Sequence, residues 1–209
     1  PLMSSVKNAL KKWCDEHPEE DPTTAKVVKL IGCMPPLQKL DPAVLGTLKG
    51  CEQLSLSTNM IDRLPPLPEL PQCRVLSLGR NKLTKIQYLN VLPALEELWV
   101  SYNGVRSVDG IVEASKLTTL YISNNKIASW DEVAKLGAMP HLRDVLLVGN
   151  PIYDQYDSVA EPEAERRLRV LSCIPQLEKI DGKLVTPEEK QAIAFELQSL
   201  FAVCSRLNC

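Results

Sequence analysis

Catalysis needs nucleophiles, bases or metal ligands at workable spacing, and few residues of this 209-residue chain qualify. There are two histidines, His17 and His141, and seven cysteines, none of them in a CxxC pair. Zinc-type spacing is therefore missing. The GxxxxGK(S/T), GxSxG, HExxH and GxGxxG motifs are absent too, and two histidines offer little general-base chemistry. The expectation is a chain with no enzymatic activity, no metal and no cofactor.

Two other kinds of chemistry do recur. The first is amide hydrogen bonding: Asn59, Asn81, Asn103 and Asn125 follow one another at intervals of 22 residues, and Asn150 comes 25 later. An asparagine side chain both donates and accepts, so a column of them can satisfy backbone groups at buried turns. The second is apolar contact. Four residues before each Asn stand Ser55, Ser77, Trp99, Tyr121 and Leu146, and two before stand Ser57, Gly79, Ser101, Ser123 and Val148. If these alternate with core positions along strands, they share an exposed sheet face. Adjacent strands lie about 4.8 Å apart, so Trp99, Tyr121 and Leu146 become lateral neighbours. Tyr102 and Val148 flank them, and Glu97, Asp144, Arg80 and Asn124 supply a polar rim. Exposed clusters of this kind mark partner sites, with Trp and Tyr as anchors. The alternative is that the chain's own C-terminal segment covers the patch.

The elements that position these residues follow from the same period. Leu54, Leu76, Leu98, Leu120 and Val145 lie five before each Asn, and Leu56, Leu78, Val100, Ile122 and Leu147 lie three before. Cys51, Cys73, Leu95, Leu117 and Leu142 precede by eight, while Ile61, Leu83, Val105, Ile127 and Ile152 follow by two. This is one structural unit repeated, with a short parallel strand at each L-x-L. A degenerate first copy is read in "VKLIGCMPPLQKL", with Val27, Leu30, Leu37 and Leu40 inside and Pro35 in the Asn place, giving about six strands. Pro71, Pro93, Pro140 and Pro175 close the return segments, since proline cannot donate to a ladder. "LPPLPELP" contains PxxP, but Leu64, Leu67 and Leu70 keep the repeat register and read as structure. Trp130, five after Asn125, matches Leu64, Ile86 and Val108 and is expected in the core.

Open solenoids need caps. Val6, Leu10 and Trp13 give an N-terminal helix one apolar side. "CIPQLEKIDGKLV", Cys173 to Val185, reads as a closing unit. Beyond it Thr186, Pro187 and Glu189 announce a helix through a capping box, with Ile193, Leu197 and Leu200 or Phe201 as its stripe. That helix packs on the last repeat, or its distal part toward Arg206 reaches a partner. The boundaries are residues 1–26 for the N-terminal cap, 27–185 for the repeats and 186–209 for the C-terminal helix and tail.

Charge excludes little but guides expectation. With 24 Lys plus Arg against 26 Asp plus Glu, the net charge of -2 implies no global attraction to nucleic acid or membrane. "RRLR", Arg166 to Arg169, is the one basic cluster and reads as a solvated helix face. Cysteines in leucine places suggest buried apolar residues and a reducing, cytoplasmic setting.

The repeat resembles the 22-residue leucine-rich-repeat subfamily first seen in a regulatory subunit of type 1 protein phosphatase. The fold it implies is an α/β, right-handed leucine-rich-repeat solenoid with helical caps. More specifically, "LSLSTN", "VLSLGRN", "LEELWVSYN", "LYISNNKI" and "VGNP", with "MPPLQKLD" upstream, are similar to the leucine-rich-repeat light chains of axonemal outer-arm dynein. That resemblance implies a non-catalytic subunit of the ciliary and flagellar axoneme, a part of the cytoskeleton. It would bind a dynein heavy chain in the motor region near the microtubule-binding stalk, with contact to tubulin also implied, and be a monomer when isolated. The family's binding face maps here onto Trp99, Tyr102, Tyr121, Leu146 and Val148, with Arg80 and Glu97 at its edge. A phosphatase-regulating subunit and a spliceosomal repeat subunit are the alternatives.

Overall fold

The 22-residue period builds a single sheet in the computed structural model, which describes residues 5–156 and 162–195. Its strands follow chain order: β1 (Val27–Lys29), β2 (Gln53–Ser55), β3 (Val75–Ser77), β4 (Glu97–Trp99), β5 (Thr119–Tyr121), β6 (Asp144–Leu146), β7 (Lys179–Ile180) and β8 (Lys183–Leu184). Six three-residue strands meet the expectation, and the closing unit adds β7 and β8. Pairing is parallel up to β7, then antiparallel. Val28, Leu54, Leu76, Leu98, Leu120, Val145 and Ile180 form one lateral row, each 3% exposed or less. Consequently no strand has a core of its own, and stacking alone buries the apolar edge. The return segments carry α2 (Pro42–Leu45), α3 (Trp130–Lys135), α4 (Pro162–Cys173) and short 3-10 turns. The structure thus belongs to the leucine-rich-repeat solenoids.

The asparagines close each turn as their chemistry requires. Asn125 donates through Nδ2 to Val100 O and Ile122 O at 3.0 Å each, and its Oδ1 accepts from Val105 N at 2.9 Å. Asn59, Asn81, Asn103 and Asn150 repeat this set of bonds. Each therefore ties its own strand to the repeat before it. The residue preceding each rung is left-handed: Gly32, Thr58, Arg80, Tyr102, Asn124 and Gly149 have φ between 51° and 77°. There the backbone turns while the N–H still reaches the next strand, as from Tyr102 N to Ser123 O at 3.0 Å. For a side chain such as Tyr102 this conformation costs roughly 1 kcal/mol or more.

The first copy is corrected by two residues. Val28, not Leu30, pairs with Leu54, and Val27, read in the place of Cys51, is instead 39% exposed. Leu30 then takes the place of Leu56, and Cys33, not Pro35, stands where later repeats have asparagine. Its Sγ donates to Leu30 O at 3.5 Å, three residues back, as Asn59 Nδ2 does to Leu56 O at 3.0 Å. Leu37 keeps its assigned place, since its N–H reaches Asn59 Oδ1 at 3.0 Å, so two extra residues lie between rung and return segment.

Cys51 and Cys73 are fully buried in leucine places. Burial pushes the Cys73 thiol up to about 12 and raises that of Cys51. Because the thiolate is the reactive species, both should resist iodoacetamide at pH 8 in the folded chain and react once urea unfolds it. Peptide mass mapping checks this, and labelling of either residue without urea would contradict the burial.

Both caps are present. In α1 (Val6–Glu16), Ser5 accepts from Asn8 N, while Val6, Ala9 and Trp13 are buried and Leu10 partly so. Residues 187–195 are helical, and Thr186 and Glu189 exchange reciprocal capping bonds of 3.2 and 2.8 Å. Ile193 is buried against the solenoid. Leu197, Leu200, Phe201 and Arg206 lie outside the described residues.

"RRLR" is a solvated face only in part: Arg169 is exposed and Arg166 half-buried, but Arg167 is not solvated. Arg167 on α4 is only 8% exposed. It donates to Ile180 O, Leu184 O and both Glu189 carboxylate oxygens, so one guanidinium locks α4, the β7–β8 hairpin and the C-terminal helix together. Arg166 covers Tyr153, and Arg169 lies 5.6 Å over the Trp130 ring. Trp130 is accordingly half-buried at the start of α3 rather than deep in the core. The bond from Arg167 holds the Glu189 carboxyl below its ordinary value of 4.5. A carboxyl depressed by folding stabilises fully above its unfolded value and loses that contribution as pH falls through the folded one. Urea midpoints of the wild type and Glu189→Gln should therefore differ at about pH 6 and converge toward about pH 3. A gap that stays constant with pH would show that the charge on Glu189 contributes nothing.

Candidate partner interface on the exposed sheet face

The face opposite the buried row divides into two halves with different chemistry. On β2 and β3 the small residues satisfy one another: Ser57 and Ser77 hydroxyls meet at 2.6 Å, and Ser55 and Ser77 are buried. Ser123 donates to Ser101 at 2.9 Å further along. From β4 onward the side chains become large. The register places Ser77, Trp99, Tyr121 and Leu146 side by side, as expected from the period. Trp99 and Tyr121 stack with ring centroids 6.1 Å apart and planes 19° from parallel.

Each ring is held by its polar edge. Trp99 Nε1 donates to Glu97 Oε2 at 3.1 Å, two residues back along β4. Tyr121 donates from its hydroxyl to Asp144 Oδ2 at 3.1 Å, and Lys179 Nζ reaches the same oxygen at 3.0 Å. Burial, then the Asp144 charge, raises the Tyr121 phenol above its ordinary value, so the hydroxyl stays a donor. The Asp144 bond in turn raises the Lys179 ammonium. The other Asp144 oxygen is shut off from water, with no partner among the described residues. The indole and phenol faces are thus fixed in rotamers that need little further ordering on contact.

The expected flanking residues are the most open ones. Tyr102 is 49% exposed and Val148 46%, while Trp99, Tyr121 and Leu146 are half-buried by one another. Arg80 lies 4.5 Å over the Tyr102 ring, a cation on an aromatic face. Arg80 and Tyr102 both occupy the left-handed turn positions, so two strained residues present this pair. Lys179 belongs to the same surface, and the repeat pattern gives no sign of it. It comes from the hairpin of the closing unit, 35 residues from Asp144, and only the added strand β7 brings it alongside.

Asp181 is the other residue that the repeat pattern does not disclose. Its Oδ1 accepts from Leu147 N at 2.6 Å and Val148 N at 3.0 Å, and its Oδ2 from the Tyr153 hydroxyl at 2.8 Å. An aspartate in the closing unit thereby holds the edge of the patch at Val148. Among the described residues no group of histidine, cysteine and acidic side chains is arranged to hold a metal. No helix among them is long and apolar enough to cross a membrane.

The comparisons with known proteins agree with this geometry. A family model described as "Leucine-rich repeat and WD repeat-containing protein 1, LRR" matches residues 24–117. An internalin (inlF) from Listeria monocytogenes superposes with a TM-score of 0.61 at 16% identity, over 90% of this chain and 59% of that one. An internalin C2 from the same bacterium gives a TM-score of 0.52 at 26% identity, over 71% and 60%. Two curated relatives reach much further in sequence. The Dynein axonemal light chain 1 of Chlamydomonas reinhardtii is 42% identical over 189 residues, covering 90% of this chain and 94% of the relative. That of Xenopus laevis is 44% identical over 191 residues, covering 90% and 95%. Identity of this size over 90% of the chain makes this chain a member of the axonemal dynein light chain 1 family of leucine-rich-repeat proteins.

Proposed function

We propose that this chain is a non-catalytic light chain that binds an outer-arm dynein heavy chain in its motor region, toward the microtubule-binding stalk. The contact is the sheet face around Trp99, Tyr121 and Leu146, and through it the light chain regulates ciliary and flagellar motility. The observation that carries the reading is the row itself: three large apolar side chains in lateral register on an exposed face, stacked and held by Glu97 and Asp144. Family membership supports dynein as the partner.

The rigid sheet suits a component that transmits force. A surface already ordered before contact loses little conformational entropy on binding, so the buried rings contribute most of their transfer energy to affinity. Arg80, Tyr102 and Lys179 surround the apolar row with groups that stay partly in water and set orientation.

Affinity capture from a flagellar salt extract, followed by cross-linking, tests the partner. Recovery of a dynein heavy chain, cross-linked to residues beside Trp99 or Val148, is expected. Recovery of a phosphatase catalytic subunit or a ribonucleoprotein instead would overturn the assignment.

A further inference from the structure

The sheet also has an open edge, at the end opposite the aromatic row. Strand β1 is an edge: among the described residues it pairs with β2 and with no other strand. Leu30 and Gly32 donate to Ser55 O at 2.8 Å and Ser57 O at 3.1 Å on the β2 side, and Lys26 O accepts there too. Backbone polarity alternates along a parallel strand, so the N–H and C=O groups of Val27, Lys29 and Ile31 face the open side. A row of such groups is a template for one more strand.

Unlike most bare edges, this one lines a groove. Between α1 and the segment from Lys29 to Pro35 lies a cavity of about 390 Å³. Ala9 and Trp13 of α1 line one side, both in the buried core. Ile31 and Met34 line the other and are 50% and 89% exposed, with Val27 39% exposed on the same strand. Exposed apolar side chains beside unpaired backbone are what sheet edges ordinarily avoid. Lys29 is exposed. Lys12, on the opposite wall, is paired at 3.6 Å with Glu16, which lines the groove too, so Lys29 is the lining cation without an ion pair among the described residues.

We propose that this groove receives an extended segment of a partner protein, which adds a strand to β1. Its side chains alternate, apolar ones over Ala9 and Trp13 and acidic ones toward Lys29 on the other face. Main-chain bonds to Lys29 and Ile31 supply affinity, and the alternating pockets supply selectivity. A second copy of this chain fits less well, because α1 walls the groove. One bare strand enters where another solenoid bearing its own α1 does not. This site is separate from the aromatic row, which begins on β4.

A displayed library of octapeptides with apolar and acidic residues at alternate positions, panned against the purified chain, tests the assignment. Selected peptides should bind the free chain and slow amide hydrogen exchange at Lys29 and Ile31, while Leu30 and Gly32 are already slow without peptide. Lys29→Pro removes an outward N–H without touching a bond to β2, and should weaken the selected peptides at least tenfold. Its far-ultraviolet circular dichroism reports whether it folds. Three results would overturn the proposal: no binder from the library, binders that leave Lys29 and Ile31 unprotected, or protection that arises from self-association seen by sedimentation without peptide.

Discussion

Trp99→Ala is expected to weaken binding to a dynein heavy-chain motor fragment by about 30-fold or more, the roughly 2 kcal/mol that marks a central aromatic anchor. The indole sits in the middle of the row, flanked by Ser77 on β3 and Tyr121 on β5. Its removal leaves Tyr121 without a stacking partner and opens a gap where the partner's apolar surface would lie. Stability should fall much less, by about 1 kcal/mol, because the ring is only half-buried and the stack on Tyr121 is the main thing it adds to the fold. Titration calorimetry against the motor fragment, with urea unfolding of each variant, separates the two effects. Trp99→Phe should recover part of the affinity, since it keeps a ring but not the bond to Glu97. A folded Trp99→Ala with unchanged affinity would sink the assignment of this face.

Asn125→Ala should be among the most damaging changes in the ladder, costing about 3 kcal/mol. The side chain is 2% exposed, and its loss strands the Val105 N–H and weakens the satisfaction of Val100 O and Ile122 O. Water cannot enter readily to replace it. Asn81→Ala makes an instructive partner, because the same bonds are removed at a half-buried site where water can substitute. Its cost should be distinctly smaller, and equal urea midpoints for the two variants would contradict this role for burial in the ladder.

How much of the molecule is legible in its sequence depends on whether the period carries the information. Core rows, ladder residues and the lateral order of Trp99, Tyr121 and Leu146 all follow from intervals of 22 and 25, because a parallel register repeats whatever the period repeats. The first copy departs by two residues for a physical reason. A cysteine there does part of an asparagine's work, and an extra pair of residues restores the frame only at Leu37. Arg167 escapes such a reading because its partners stand 13 to 22 residues away, on a hairpin and a helix that no interval predicts. Lys179 and Asp181 escape it similarly, as parts of a closing unit that departs from the repeat. Composition alone does not distinguish a buried, fully bonded arginine from a solvated one.

The hydrogen-bond pattern of the ladder also has a direction. Every rung accepts from the N–H of the return segment before it and donates to the strand before it, so a turn is sealed only by the turn that follows. A chain leaving the ribosome makes its amino-terminal repeats first. Each one must wait, open at its trailing edge, for about 22 further residues to emerge, one period behind synthesis. Growth then resembles a one-way ratchet, and Asp181, which accepts from Leu147 and Val148, acts as its terminal pawl. A chain cut short between two rungs would carry one frayed turn at its end, wherever the cut fell.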